Sequence, residues 1–158
     1  MKYVYWAIPG LLAGRPGPDE IPWDLQELRQ AGFGAILSLH SGGIESTEIR
    51  RLGFAHLLLP LPYSVPPLPP DIDTYRQLLP EALAFIKQHV TLGTPALVHC
   101  HAGKDRTGVV LASYLTTGLG MHPLEAIDKL RVVKPSLLSA EGYQALALYL
   151  SDLMKDSK

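Results

Sequence analysis

Three residue types that together can bind and cleave a phosphate ester lie within eight positions of this chain. Cys100 is the only cysteine among 158 residues; Arg106 follows it by six positions, and Thr107 comes directly after Arg106. An arginine guanidinium is a planar cation that can bind two phosphate oxygens at once. A cysteine close to a cation and to a helix N-terminus is favoured as the thiolate, its nucleophilic form. The spacing predicts attack of the Cys100 sulfur on a phosphoryl group, giving a phosphocysteine that water hydrolyses.

The flanking segments predict how these residues are positioned. Apolar residues 95–98 indicate a short buried strand, and apolar residues 109–115 indicate the start of a buried helix. In a strand–loop–helix joint, the backbone N–H groups of the loop and the positive end of the helix dipole point at one place and bind anions there. We therefore predict that the loop binds the substrate phosphate through six consecutive residues: His101, Ala102, Gly103, Lys104, Asp105 and Arg106.

The other residues of the run have predicted supporting roles. Gly103 lets the backbone turn tightly around the phosphate oxygens. The hydroxyl of Thr107 donates a hydrogen bond to the Cys100 sulfur, which stabilises it first as nucleophile and later as leaving group. His99 supports the loop and is not expected to act as a base, because a thiolate already formed needs none. Gly108 is assigned to the same support.

The run from His99 to Gly108 resembles the His-Cys-x5-Arg-Thr/Ser signature of the cysteine-dependent protein tyrosine phosphatase superfamily. Residues 5–14 and 61–67 and the helical C-terminal third resemble a small atypical dual-specificity phosphatase. The resemblance implies a phosphomonoester hydrolase that acts on phosphotyrosine proteins, with phosphoserine and phosphothreonine as further substrates. We expect residues 1–158 to form a single phosphatase domain.

The source of the proton for the leaving group is open at this stage. In dual-specificity phosphatases an aspartate stands shortly before a Pro-Pro pair and supplies that proton, whereas this chain has Tyr63 there. One alternative is that Asp71 or Asp73, after the proline-rich segment, reaches the pocket. A second, which we favour, is Asp105, at the position where the myotubularin lipid phosphatases have an aspartate proposed as acid, although an ion pair holding the loop explains Asp105 equally well. In the third, no acid exists, and the protein cleaves only good leaving groups or merely binds phosphates as a pseudophosphatase.

Lys104 leaves a second substrate class open. Loops of the form Cys-x-x-Gly-Lys-x-Arg are similar to those of tensin-type phosphoinositide phosphatases and of some bacterial tyrosine or lipid phosphatases. As a second cation in the loop, Lys104 would suit a headgroup with several phosphates. The alternative is that Lys104 is a solvated surface charge with no role in substrate binding. Phosphoprotein is the first prediction, and phosphoinositide is the alternative.

Composition excludes several other classes. The hydrophobic content of 47% and charged content of 18% are those of a globular chain. The net charge of −1 does not favour nucleic acid, and no basic patch favours stable membrane association. A single cysteine excludes an internal disulfide and fits a reducing compartment, so we expect the cytoplasm. We expect a monomer without cofactor or metal, because thiolate chemistry needs neither and the histidines lack ligand spacing.

Interleaved strand and helix patterns predict an α/β fold, with a central, mostly parallel sheet flanked by helices and the phosphate-binding loop between the central strand and a helix. The strand before Cys100 is expected at the centre, because its residues are continuously apolar. A long helix is predicted from Asp71 to about Val90, and Pro80 is expected to kink it or split it in two. The last helix is predicted over roughly Ser139–Met154.

Overall fold

The computed structural model describes residues 1–156, and five short strands in it form one sheet. The strands are β1 (Tyr5–Ile8), β2 (Leu12–Arg15), β3 (Ala35–Ser38), β4 (Ala55–Leu58) and β5 (Ala96–His99). Their order is β1-β2-β5-β3-β4; β1 and β2 are antiparallel, and every other pair is parallel. The predicted α/β class with a mostly parallel sheet is confirmed. Of the predicted 1–158 domain, residues 157 and 158 lie outside the described part.

Helices cover both faces of this sheet. They are α1 (Leu25–Gln30), α2 (Ser46–Arg51), α3 (Pro69–Thr91), α4 (Arg106–Leu119), α5 (Pro123–Val133) and α6 (Tyr143–Asp156). Successive strand residues point to opposite faces, so Ile36 packs with Leu28 of α1 and Ile49 of α2, whereas Leu37 belongs to the core that α3 to α6 form. None of the helices in the described residues is long and apolar enough to cross a bilayer.

The central position of β5 explains why its sequence is apolar throughout. It pairs with β2 on one side and β3 on the other, and all four of its residues are buried. A parallel strand covered on both faces has no solvent side on which a polar residue would be favoured. The chain leaves the carboxyl end of β5 at Cys100 and enters α4 at Arg106, so the loop stands at the middle of the sheet edge, where open α/β sheets bind ligands.

Two helices differ from the sequence predictions. Helix α3 continues through Pro80 without a break, so of the predicted kink or split the split was wrong. Pro80 removes one backbone donor, whereas buried Tyr75, Leu79 and Ala82 on either side hold this face of the helix against the core. Helix α6 begins four residues later than predicted, because the chain first turns through positive φ angles at Leu138 (59°) and Gly142 (85°).

Candidate active site

The Cys100 sulfur lies buried at the start of the loop and accepts two hydrogen bonds. The backbone N–H of Gly103 donates to Sγ over 3.3 Å, and the Thr107 hydroxyl donates over 3.1 Å. Both donors stabilise negative charge on sulfur. The N-terminus of α4 begins at Arg106, so the positive end of its dipole also faces the loop. The loop therefore stabilises a sulfur anion from three directions.

A pocket of about 330 Å³ opens over this sulfur. Its lining residues are His40, Tyr63, Cys100, His101, Ala102, Asp105 and Arg106. Arg106 is only 7% exposed, and among residues 1–156 its buried Nε has no hydrogen-bond partner. A buried guanidinium nitrogen without an acceptor is costly, and a phosphoryl oxygen in the pocket is an acceptor that would satisfy it. Sulfur and guanidinium thus face one cavity of a size that suits a phosphoryl group.

Contacts from other elements fix the curvature of the loop. Gly103 has a φ of 73°, and a Cβ there would come within 2.5 Å of the Arg15 carbonyl group. The Tyr5 hydroxyl donates to the Gly103 carbonyl over 2.6 Å, and burial raises the pKa of that phenol well above its ordinary value. A Cβ on Gly17 would lie 2.1 Å from the Cys100 carbonyl oxygen. Glycine is therefore required where β2 and its following loop pass closest to the phosphate loop.

The predicted support roles of His99 and Gly108 have specific contacts. His99 Nδ1 donates to the Cys100 carbonyl over 3.0 Å, since a carbonyl only accepts, and Nε2 therefore accepts from the Ser38 hydroxyl over 2.6 Å. A Cβ on Gly108 would approach Leu137 and Leu138 to about 3.0 Å, so the missing side chain lets α4 pack against the chain that precedes α6.

The hydrogen-bond chain behind His99 continues across the sheet to α2. His56 Nε2 lies 2.8 Å from the Ser38 oxygen, and Ser46 Oγ lies 2.7 Å from His56 Nδ1. Because the Ser38 proton goes to His99, His56 must donate to Ser38 and accept from Ser46. Each imidazole is then neutral. Burial lowers the pKa of both His99 and His56 to about 4, which agrees with these roles.

This neutral pair predicts acid destabilisation. The unfolded chain binds protons to histidine near pH 6.5, whereas the folded chain does so near 4, so the free energy of unfolding falls as pH drops from 6.5 to 4. For His99 the full effect is about 3 kcal/mol. Urea unfolding at pH 7 and pH 4.5 measures it. His56→Asn should reduce the difference in the free energy of unfolding between pH 7 and pH 4.5. His122→Asn, at an exposed helix cap, should leave this difference unchanged. Equal differences in the parent and both variants would contradict the prediction.

Asp105 lines the pocket as an acceptor of three hydrogen bonds. Its Oδ2 accepts from Lys104 Nζ over 2.6 Å and from the Tyr63 hydroxyl over 2.9 Å, and its Oδ1 accepts from the Ala140 N–H over 3.2 Å. Lys104 Nζ also donates to Ser139 Oγ over 3.1 Å. The loop-holding ion pair considered for Asp105 is therefore present, and Lys104 directs its charge to that pair.

Tyr63 lines the pocket and contacts two residues of the loop, Asp105 and Arg106. The Arg106 guanidinium carbon lies 4.8 Å from the centre of its ring, and the ring stacks on Tyr143 with centroids 5.2 Å apart. Partial burial and the hydrogen bond to Asp105 raise the pKa of Tyr63 to about 12, so its phenol stays neutral and donates. Tyr63 thus closes one wall with an aromatic face that is 43% exposed.

Asp71 and Asp73 are not among the residues that line the pocket. Asp71 Oδ2 accepts from the Leu68 N–H over 3.2 Å and so caps the N-terminus of α3. Asp73 pairs with Arg76 over 2.7 Å on the exposed surface. Asp71 thus has the ordinary role of an acidic residue in a first helical turn, and Asp73 has that of a surface ion pair between residues three apart. Of the three candidate aspartates, the structure brings only Asp105 to Cys100 and Arg106.

A cluster that the sequence prediction missed includes two residues that line the pocket, His40 and His101. Asp19 Oδ2 lies 2.7 Å from His40 Nε2 and 3.0 Å from His101 Nδ1, and His101 Nε2 lies 2.6 Å from Glu20 Oε2. Partial burial acts to raise the pKa of Asp19, but the hydrogen bonds from His101 and His40 outweigh it and lower that pKa. The three segments are far apart in the chain, so spacing alone gave no indication of the cluster.

The sheet order and the thiol–guanidinium loop define a class: the cysteine-based protein tyrosine phosphatases, and among them the small atypical dual-specificity phosphatases. Residues 13–119 match a family model described as "Polymorphic toxin system, DSP-PTPase phosphatase". The chain belongs to this family, which confirms the resemblance inferred from the sequence.

Curated proteins and solved structures agree with that assignment. The chain is 34% identical over 142 residues to the mouse dual specificity protein phosphatase 12, and 26% identical over 141 residues to the phosphatidylglycerophosphate phosphatase PTPMT1 of Arabidopsis thaliana. These alignments cover 89% and 88% of this chain, which spans about two fifths of either relative (39% and 40%). The fold matches Tk-PTP in its active form (TM-score 0.77, 21% identity) and PTPMT1 in complex with PI(5)P (TM-score 0.77, 14% identity), each over 99% of both chains.

Proposed function

We propose that residues 1–158 form one phosphatase domain that hydrolyses phosphotyrosine in proteins through a phosphocysteine. The observation that carries this proposal is the placement of the Cys100 sulfur and Arg106 in one pocket, with donors from Gly103 and Thr107 on the sulfur. The single cysteine, free and buried, supports the reducing cytoplasm as the proposed compartment, and we propose that the enzyme is a monomer.

The proposed reaction has two displacements at phosphorus. In the first, the Cys100 thiolate forms an S–P bond while the P–O bond to the leaving group breaks, and Arg106 and the loop N–H groups stabilise the phosphoryl oxygens. In the second, water attacks phosphorus, the S–P bond breaks, and the products are inorganic phosphate and the thiolate. The Thr107 hydroxyl donates to sulfur when it departs.

The surroundings of Asp105 favour a role in the second displacement. The Asp105 side chain acts as acceptor in its contacts with Lys104, Tyr63 and Ala140. It can accept the proton that the attacking water loses. We therefore assign Asp105 as base for hydrolysis of the phosphocysteine, which replaces the role of acid favoured from the sequence.

Without a strong acid, the leaving group determines the rate of the first displacement. A phenol ionises near pH 10 and leaves as phenoxide far more readily than an alkoxide, because an alcohol is a much weaker acid than a phenol. A general acid typically contributes about 10²- to 10⁴-fold. We expect kcat/KM for phosphotyrosine peptides to exceed that for phosphoserine peptides of the same sequence by about this factor.

Matched variants make this prediction sharper. Asp105→Asn should slow breakdown of the phosphocysteine, so that p-nitrophenyl phosphate gives a burst of nitrophenol followed by a slower steady rate. Tyr63→Phe keeps the ring over Arg106 and removes only the hydroxyl, so it should produce no burst. Equal rates on phosphotyrosine and phosphoserine, or loss of the first displacement in Asp105→Asn, would instead identify Asp105 as the acid.

A phosphoinositide is the second candidate substrate, because PTPMT1 relatives carry lipid-phosphatase names. Against a headgroup with several phosphates, Lys104 is bound to Asp105 and Ser139. The same pocket accommodates a headgroup with one phosphate. Malachite-green assays with phosphotyrosine peptides and with mono- and polyphosphorylated inositol headgroups compare the two substrate classes. We expect the highest kcat/KM on the peptides. A higher kcat/KM on any headgroup would establish the alternative.

A further inference from the structure

The cluster of Asp19, His40 and His101 has the composition of a transition-metal site. It offers two imidazole nitrogens and one carboxylate oxygen, from His40, His101 and Asp19, and these three atoms all lie within 4.8 Å of one another. Zinc binds imidazole at about 2.0–2.1 Å and carboxylate at about 2.0–2.2 Å. In tetrahedral geometry such ligands stand about 3.3–3.5 Å apart. The close pairs of 2.7 and 3.0 Å would open by well under 1 Å, and the His40–His101 pair, which lies within 4.8 Å, would adjust to the same spacing.

A second feature of the cluster is typical of built metal sites. Metal-binding histidines usually donate their other ring N–H to a carboxylate, which fixes the tautomer and the ring orientation. Glu20 occupies that position: its Oε2 is 2.6 Å from His101 Nε2, while His101 Nδ1 faces Asp19. The Glu20 contact thus directs Nδ1, the predicted ligand atom, towards the other two ligands.

The backbone also leaves space beside the ligand atoms. A Cβ on Gly42 would come within 2.4 Å of Asp19 Oδ2 and 2.6 Å of His40 Nε2. The three ligand side chains are 25–44% exposed, so an ion can enter from solvent. His40 and His101 also line the pocket that contains Cys100 and Arg106.

We propose that Asp19, His40 and His101 bind one zinc ion at the wall of the phosphatase pocket, with Glu20 orienting His101. Three protein ligands leave one coordination position open, as in zinc sites that take water or substrate. Because His40 and His101 line the cavity, water or a phosphoryl oxygen in it would be within reach of an ion held there. The site is independent of the thiolate and does not require the phosphatase reaction.

Calorimetric titration with zinc chloride tests the proposal on the full chain, free of any affinity tag. The titration uses Cys100→Ser as the parent, because this removes the only thiol. We expect one zinc ion per chain at micromolar concentration. In that background His40→Asn and Asp19→Asn should weaken binding by about 100-fold or more, and Glu20→Gln, which keeps all three ligands, by about 10- to 100-fold.

Two controls separate metal ligation from general effects. His122→Asn makes the same substitution as His40→Asn at an exposed histidine that caps α5, beyond the far end of α4, and should leave the affinity unchanged. Circular dichroism melts without zinc establish that each variant is folded. A parent that binds no zinc at millimolar concentration, or a folded His40→Asn that binds it as tightly as the parent, would overturn the proposal.

Discussion

Replacing Cys100 with serine is expected to lower kcat on p-nitrophenyl phosphate by about 10⁴- to 10⁶-fold. A hydroxyl is a far weaker acid than a thiol, so in the variant the Gly103 and Thr107 donors have no sulfur anion to stabilise. Steady-state assays measure the loss.

Two measurements serve as controls for this variant: its thermal unfolding and its binding of inorganic phosphate. Serine is nearly isosteric with cysteine, and Arg106 and the loop N–H groups remain, so the thermal midpoint and the affinity for inorganic phosphate should change little. An otherwise intact Cys100→Ser that keeps more than about one hundredth of the parent activity would show that another group attacks phosphorus. A wild-type chain that binds phosphate and has no turnover would establish the pseudophosphatase alternative.

Arg106→Lys is expected to lower kcat/KM by about 10³-fold despite conservation of the charge. Lysine has a single ammonium group and lacks the planar pair of N–H donors of a guanidinium. It also lacks the Arg106 Nε–H, which is buried and has no hydrogen-bond partner within residues 1–156. The loss should appear in kcat more than in KM, because the donors bind the equatorial oxygens of the transition state most strongly.

A matched arginine distinguishes this role from packing. Arg131 donates to the Leu137 carbonyl over 2.9 Å, outside the pocket, and Arg131→Lys should keep kcat/KM within a few-fold of the parent. Equal losses in the two variants would mean that lysine disturbs this helical region generally. Phosphate should also protect the parent against thermal unfolding more than it protects Arg106→Lys.

The phosphate loop was predictable because its chemistry and its framework are contiguous in the chain. Residues 95–115 contain the buried strand, the turn and the helix start, so the local pattern sufficed to place the Cys100 sulfur beside its donors. The central position of β5 followed from its continuous apolar run, and the structure agrees.

The remaining parts of the site depend on contacts between distant segments. Lys104–Asp105 is a local pair, but the Tyr63 and Ala140 donors that complete the environment of Asp105 come from 42 and 35 residues away. The His99–Ser38–His56 chain crosses three strands. Tertiary packing alone determines these contacts, which is why the sequence left the proton donor open and gave no sign of the Asp19 cluster.

Pro80 shows the converse, in which a strong local preference yields to packing. Proline in a helix interior removes a hydrogen bond and favours a kink or a break. In α3 the buried face that includes Tyr75, Leu79 and Ala82 keeps the helix continuous from Pro69 to Thr91. The local cost was predictable, whereas the burial that offsets it was not.

The most direct measurement of the central claim is acid-quench trapping of the enzyme during turnover of a phosphotyrosine peptide, followed by mass spectrometry of its peptides. We predict one phosphoryl group on the Cys100 sulfur, formed at the rate of the burst and accumulating further in Asp105→Asn. An active enzyme whose quenched peptides carry no phosphoryl group on Cys100, or carry it on another residue, would contradict the account.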